Sequence, residues 1–410
     1  MSPRTFAPID QEHLMTRTAA LPSISPQDAG LSEAGLRRMS QAVRADIERG
    51  LAPGAVLMVA RHGRIAWSEA LGAQDPATGT PMSLDAIFRI YSMTKPIVSV
   101  ATMMLLEEGR LLLTDPVSRF IPEFARQQVG VERGGRLECV PAQRESTIQD
   151  LLRHTSGLAY EFTGTSAVQR LYVEQRVGSR RRDNTEFASH LAGLPLMHEP
   201  GTRWEYSRAT DVLGRIVEVA SGRTLGQFIG ERITAPLGMV DTGFSVPPDQ
   251  QHRLAGAFAN DPDTGEPVLL YDVSAPPKFE SGGGGMVSTA SDYARFTQML
   301  LGGGCLDGVR LLGRKTVEWM TADHLGTIPG ESDLLPAGYG FGLGFAVRRA
   351  DGVAATPGSA GQYFWEGLAG TTFWVDPRED LIALLMIQAP GRRDHFRNLF
   401  RGLVYASLDA

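Results

Sequence analysis

The sequence predicts an α+β fold: an antiparallel β-sheet opened by an early hairpin, interrupted by a mostly helical insertion, and completed by carboxyl-terminal strands. Three observations lead there. The runs "GAVLMVA" and "RIAWSEALG" are separated only by the tight His62-Gly63 connection, which reads as an antiparallel hairpin and disfavours a parallel dinucleotide fold. From about 111 to 279, segments such as "TIQDLLRHTSG" and "DVLGRIVEVASG" carry a helical period broken by proline and glycine. Strands then return in "YGFGLGFAVRR", "GQYFWEGLAGTTFWVDP" and "LIALLMIQ". The expected division is 1–110 with 280–410 for the sheet part and 111–279 for the insertion. A chain of 410 residues suits two packed domains.

Taken in order, the first element is an amphipathic helix between Ser32 and Gly50, because Leu36, Met39, Val43 and Ile47 recur at three- and four-residue steps behind a serine cap. The hairpin follows. Next, "KPIVSVATMMLLEEG" is apolar for three turns and closes on acidic residues and Gly109, as expected of a largely buried helix. "SGGGGMVSTASDYARFTQMLLGGG" is a glycine turn leading into a helix. Gly338, Gly340, Gly342 and Gly344 alternate along what reads as one strand face, where they predict a close backbone approach across the sheet.

Composition narrows the function classes. A formal net charge of −6 leaves no general basic footprint for nucleic acid or anionic membrane, and neither is expected as a partner. The one basic run, Arg176 with Arg180, Arg181 and Arg182, reads as a solvated loop. Cys139 and Cys305 are too few and too far apart for a disulfide framework or a paired-ligand zinc site, and no metal or other cofactor is expected. The first 27 residues hold acidic residues and prolines but no apolar signal core, and the longest apolar stretch spans roughly half a bilayer. A cytoplasmic location is the expectation.

The chemistry centres on "YSMTK", residues 91–95. Only Lys95, Lys278 and Lys315 are lysines among forty basic residues, so a Ser-x-x-Lys pairing by chance is uncommon. On a helix, residues i and i+3 are offset by about 60° and rise roughly 4.5 Å, which places Ser92 and Lys95 on one face. Pro96 is tolerated only in a first turn, so the helix is expected to start at or just before Ser92, at the positive end of its dipole. A serine hydroxyl needs a base, and a solvated lysine is protonated at neutral pH. Lowering its pKa by about three units corresponds to roughly 4 kcal/mol, within reach of burial. These two positions alone equally allow a capping serine and a surface lysine.

Two further elements bear on that choice. Tyr206, in "WEYSRATDVLG", follows an aromatic turn; beside a lysine ammonium its phenol ionises more easily and can relay a proton to a leaving group. Trp365-Glu366-Gly367, read as lying inside a strand and followed by Leu368, could present a backbone N–H opposite that of Ser92 as an oxyanion hole. Competing arrangements fit poorly: the nearest approach to G-x-S-x-G, at Ser359, has Pro357 in place of the first glycine, and no H-E-x-x-H set occurs. His154 reads as a turn-fixing residue.

In this order, "YSMTKP", "DPVSRFIPEF", "LLRHTSGL", "WEYS", "LGMVDTGF", "GGGGMVSTASDYARF", "GFGLGF" and "WEGLAGTTFWVDP" resemble the serine β-lactamase superfamily, on the branch of class C β-lactamases and family VIII carboxylesterases. The resemblance runs from about 54 to 388. It implies a β-lactamase/penicillin-binding-protein-like fold, a sheet flanked by terminal helices with a helical domain, and an active-site cleft between them. Carried over by position, it implies Ser92 as acylated nucleophile, Lys95 and Tyr206 as acid/base pair, and the amides of Ser92 and Leu368 as oxyanion hole. Tyr91, Trp365, Glu366, Gly367 and Arg208 are expected to line the substrate cleft, Arg208 selecting an anionic group. Two departures matter: Tyr206-Ser207-Arg208 and Trp365-Glu366-Gly367 stand where class C enzymes have Tyr-x-Asn and Lys-Thr-Gly, and Lys315-Thr316-Val317 lacks the glycine and sits in a helical pattern. The expected activity is hydrolysis of small carboxylic esters, with weak β-lactam opening alongside. An acyltransferase, a D-amino-acid peptidase or a β-lactamase would use the same constellation, and a protein that acylates once without turnover is the non-enzymatic alternative.

Overall fold

The computed structural model of the chain describes residues 20–330 and 332–409. Most of the amino-terminal segment read above for a signal core lies outside the described residues.

The first helix, α1 (Glu33–Glu48), begins where Ser32 Oγ accepts the Gly35 N–H at 3.2 Å, and it buries Leu36, Met39 and Val43. Strands β1 (Gly54–Arg61) and β2 (Arg64–Asp75) follow. They are joined through His62 and Gly63 at φ 56° and 71°, the left-handed pair that a two-residue hairpin of this twist requires. A short β3 (Thr80–Pro81) pairs with β2. Five strands come from the other end of the chain: β4 (Tyr339–Phe341), β5 (Ala346–Arg348), β6 (Tyr363–Glu366), β7 (Thr372–Asp376) and β8 (Leu381–Ile387). Their order is β4-β5-β6-β7-β8-β1-β2-β3, with every pairing antiparallel. The two ends of the chain therefore meet at β8 and β1, in a register running from Ala55 opposite Ile387 to Arg61 opposite Leu381.

Every residue of β1 and β8 is buried, which explains their uninterrupted apolar runs: both faces of the sheet are covered. Phe373 and Trp374 are neighbours on β7 and so point to opposite faces. Phe373 meets Tyr293 of the helix Ala290–Leu301, whereas Trp374 meets Phe400 and Tyr405 of the last helix, Arg393–Tyr405. That last helix packs against α1, so the terminal helices share one face.

The central part of the chain contributes helices Ile148–Leu152, Ala167–Glu174, Asn184–Ala192 and Ala209–Ser221. It also holds a two-stranded hairpin, Gln128–Arg133 with Arg136–Pro141, that the helical reading passed over. Its strands are largely exposed and polar, which blurs the period, but the Gly134-Gly135 pair at φ 54° and 76° is the hairpin signal.

Two further differences concern the site. "YGFGLGFAVRR" is not one strand but the β4–β5 pair, turning through Gly342–Phe345. Its glycines make their close approaches away from the sheet. A Cβ at Gly342 would fall 2.2 Å from the Met320 carbonyl oxygen, and one at Gly344 would fall 2.3 Å from Ser99 Oγ. The helix after Ser92, α2 (Thr94–Glu107), is preceded by a 3₁₀ turn over Tyr91–Met93. Tyr91 has φ 43°, a left-handed conformation uncommon for a bulky residue, immediately before the serine.

Candidate active site

Helix α2 is buried from Thr94 to Leu105, and it packs against Ala209–Ser221. Because Tyr206 sits just before that second helix, the packing carries it to Ser92 and Lys95. Lys95 is buried, and its Nζ reaches Ser92 Oγ at 3.2 Å, the Tyr160 hydroxyl at 3.0 Å and the Gly283 carbonyl oxygen at 2.6 Å. Burial pushes its pKa down to about 7; Asp211 pulls it back up and Arg208 presses it further down. A neutral amine here keeps two N–H bonds, one of them claimed by the acceptor-only Gly283 carbonyl, and turns its lone pair toward the Ser92 hydroxyl.

Tyr206 is buried as well, and its hydroxyl accepts the Trp365 Nε1–H at 3.2 Å while also hydrogen-bonding Ser92. Burial raises its pKa above that of a free phenol, although the bonds to Ser92 and Trp365 oppose the rise. The expectation that a neighbouring lysine eases its ionisation is corrected here. Lys95 Nζ stands over the face of the Tyr206 ring, 4.5 Å from its centre, and the hydroxyl that meets the amine is that of Tyr160. At rest the tyrosine is the proton holder, and the lysine is the group poised to lose one.

Glycines behind the lysine complete the arrangement. Asp211 Oδ1 accepts from Ser281 Oγ at 2.6 Å and from the Gly283 N–H at 2.8 Å, which fixes the residue whose carbonyl holds Lys95. A Cβ on Gly283 would strike Asp211 and the Tyr160 hydroxyl, each at 2.8 Å, so this turn excludes a side chain. His154, at φ 56°, packs against the Tyr206 ring at 4.9 Å with Nδ1 near Ser207 Oγ at 3.2 Å. Burial lowers its pKa well below the usual imidazole value, so it is a neutral supporting ring.

Above these groups lies a cavity of about 590 Å³, lined by Ser92, Tyr206, Tyr91, Arg208, Trp365, Glu366, Gly367 and Leu368 among others. Trp365 and Glu366 end β6, whereas Gly367 and Leu368 belong to the turn after it, closed by Gly367 N–H to the Thr371 carbonyl at 2.7 Å. A Cβ on Gly367 would lie 2.5 Å from the Ile90 carbonyl oxygen, so only glycine lets this turn press against the backbone beside Ser92. Among the described residues, no backbone carbonyl accepts the Ser92 or the Leu368 N–H. The Glu366 carboxylate is paired with Arg397.

Arg208 does not match its expected role. Its guanidinium pairs with Glu161, and with Asp211 at 3.3 Å, and lies over the Tyr160 ring at 4.8 Å. Two carboxylates neutralise it, so it braces the cleft floor and offers no free charge. Sequence reasoning missed Tyr160 and Asp211. Tyr160 follows "LLRHTSGL" by two residues, and Asp211 lies inside "WEYSRATDVLG", in the first turn of its helix; neither carried a spacing of its own.

A serine beside a buried low-pKa lysine, with an antiparallel sheet and a helical layer around it, is the arrangement of a serine enzyme of the hydrolase and acyl-transfer class. The chain belongs to the Beta-lactamase family, whose profile matches residues 39–406. It is similar to Protein Rv1367c of Mycobacterium tuberculosis, 41% identical over 359 residues covering 84% of this chain and 88% of the relative. It is also similar to Esterase EstB of Burkholderia gladioli, 34% identical over 394 residues covering 89% and 93%. Among solved structures, EstCE1, described as a hydrolase with promiscuous acyltransferase activity, superposes with a TM-score of 0.76 at 27% identity, covering 91% of this chain and 99% of that one.

Proposed function

We propose that the protein hydrolyses small carboxylic esters through an acyl-enzyme on Ser92. The observation that carries this reading is Lys95 Nζ, 3.2 Å from Ser92 Oγ with its pKa drawn down to about 7. Neutral Lys95 takes the serine proton as Oγ attacks the ester carbonyl, and Tyr206 donates its proton to the departing alkoxide oxygen. Water then attacks the acyl carbonyl, returns a proton to Tyr206, and Ser92 leaves with the proton held by Lys95. The amides of Ser92 and Leu368, free of backbone acceptors, suit the carbonyl oxygen as it becomes negative.

The similarity to EstB supports an ester substrate. β-Lactam hydrolysis is at most secondary, since Trp365 stands where a class C enzyme has a lysine for the lactam carboxylate, and Glu366 beside it is tied to Arg397. The likeness to EstCE1, with its promiscuous acyltransferase activity, favours acyl transfer to an alcohol as the second reading, because the same acyl-enzyme yields to whichever acceptor enters the cleft. In the deciding experiment, initial rates on p-nitrophenyl butyrate and a chromogenic cephalosporin are compared for wild type and Ser92→Ala. Ester turnover that is abolished in Ser92→Ala, with little lactam opening, is expected. An unchanged ester rate in the variant would sink the assignment.

A further inference from the structure

The basic run read above as a solvated loop does not behave as one unit. Arg182 Nη1 donates to the Arg176 carbonyl at 2.7 Å, closing the loop on itself. Gly178 sits directly on the pair beneath: a Cβ there would fall 2.3 Å from Glu161 Oε1 and 2.8 Å from Arg208 Nη2. The loop is thus seated on the cleft floor, and Arg180 lines the cavity.

The Arg180 guanidinium lies over the Tyr271 ring, 4.1 Å from its centre, and the Tyr271 ring in turn meets Tyr91 edge-on at 4.6 Å. The Tyr271 hydroxyl donates to the Gly284 carbonyl, next to the residue that holds Lys95. An arginine placed over an aromatic ring and hydrogen-bonded to its hydroxyl is held in place, and the N–H groups that the phenol does not take remain for a planar acceptor. Among the described residues, no carboxylate stands within ion-pair distance of it. That separates Arg180 from Arg208, neutralised by two carboxylates, and from Arg393, 3.9 Å from Asp394. Arg203, at the cleft margin, is exposed and has no ring beneath it.

We propose that Arg180 is the specificity-determining residue of this cleft and that it selects esters carrying a carboxylate on their acyl or alcohol portion. The proposal rests on the esterase reading and names its substrate class. The anion recognition expected of Arg208 passes to a residue of the loop seated on the Glu161–Arg208 pair.

The test compares wild type with Arg180→Gln on p-nitrophenyl butyrate, on mono-p-nitrophenyl glutarate, and on 4-(butyryloxy)benzoate, so that the carboxylate is absent, on the acyl side, or on the alcohol side. KM for a carboxylated ester should rise about tenfold more than KM for the neutral one, and the arm that responds assigns the side. Equal changes on all three esters overturn the proposal. A second measurement is independent of turnover: binding of glutaramate and of butyramide to Ser92→Ala, with and without Arg180→Gln, followed by fluorescence of Trp204 and Trp365 in the cleft wall. About tenfold weaker glutaramate binding in the double variant, with butyramide unaffected, supports the proposal; equal glutaramate binding overturns it. Failure of wild type to cleave any of the three esters removes the esterase reading alone, and the binding comparison then decides the inference.

Discussion

Lys95 is fully enclosed, yet its three hydrogen-bond partners bring no negative charge into contact with it, and that imbalance suits it to the role of base proposed for it. Asp211 acts at one remove, through the Gly283 peptide, so it tempers the depression without abolishing it. In the proposed mechanism the working form is the neutral amine, which gains population as pH rises through about 7. The rate constant kcat/KM on p-nitrophenyl butyrate should therefore lie about thirtyfold below its plateau at pH 5.5 and level off above pH 8. A single rising limb near pH 10 would show a solvated lysine and contradict the assignment. The Ser92–Lys95 pair was legible in the sequence because it is local, three residues on one helical face. Tyr160, 65 residues from Lys95, was not, since no spacing rule links them.

The elements matter through where they touch. The turn between β4 and β5 reaches α2 at Gly344, whose φ of 105° and 2.3 Å clearance to Ser99 Oγ leave no room for a methyl group. Helix α2 is thus pinned one turn beyond Lys95 by a glycine on a distant strand pair. Gly344→Ala should lose roughly 2–4 kcal/mol of stability through overpacking and backbone strain together. Gly352→Ala, at φ 76° with nothing within 4 Å, carries the backbone penalty alone and should lose about 1 kcal/mol. Urea denaturation of the two variants distinguishes them, and equal losses would show that the α2 contact contributes nothing. The alternating glycines were visible as a pattern in the sequence. Their direction of approach was not, because a glycine run does not say which element comes near.

At the scale of the molecule, the site is held at the expense of stability. A lysine whose folded pKa lies below its unfolded value leaves the unfolded chain binding more protons between about pH 7 and 10.5, so stability rises with pH across that window. Below pH 7 the full burden applies, on the order of a few kcal/mol, and above 10.5 it vanishes. Lys95→Met should accordingly raise Tm by several degrees at pH 6, with the gain shrinking steadily toward pH 10, while ester turnover is lost. A gain independent of pH would place the effect in packing and not in charge. The sheet itself bears no such cost. β1 and β8 are buried along their whole length and join the two ends of the chain, and β6, whose end lines the cavity, lies two strands from β8 in the same sheet. Among the described residues, no helix is long and apolar enough to cross a membrane.

The sequence by itself determined the hairpin at His62-Gly63, the capped first helix, the return of strands after 338, and the Ser-x-x-Lys pair, because each is encoded in contiguous residues whose period or turn chemistry allows few conformations. Only the tertiary structure decided which charges are free. Arg208 and Arg180 are equally plain arginines in a sequence, with nothing beside them that tells a paired charge from a free one. Packing gives the first two carboxylate partners and the second a tyrosine ring. Likewise, the pKa of Lys95 is drawn down only because α2, the helix after Tyr206 and the Ser281–Gly284 turn close around it. Desolvation belongs to a three-dimensional enclosure, and no window of residues along the chain contains it.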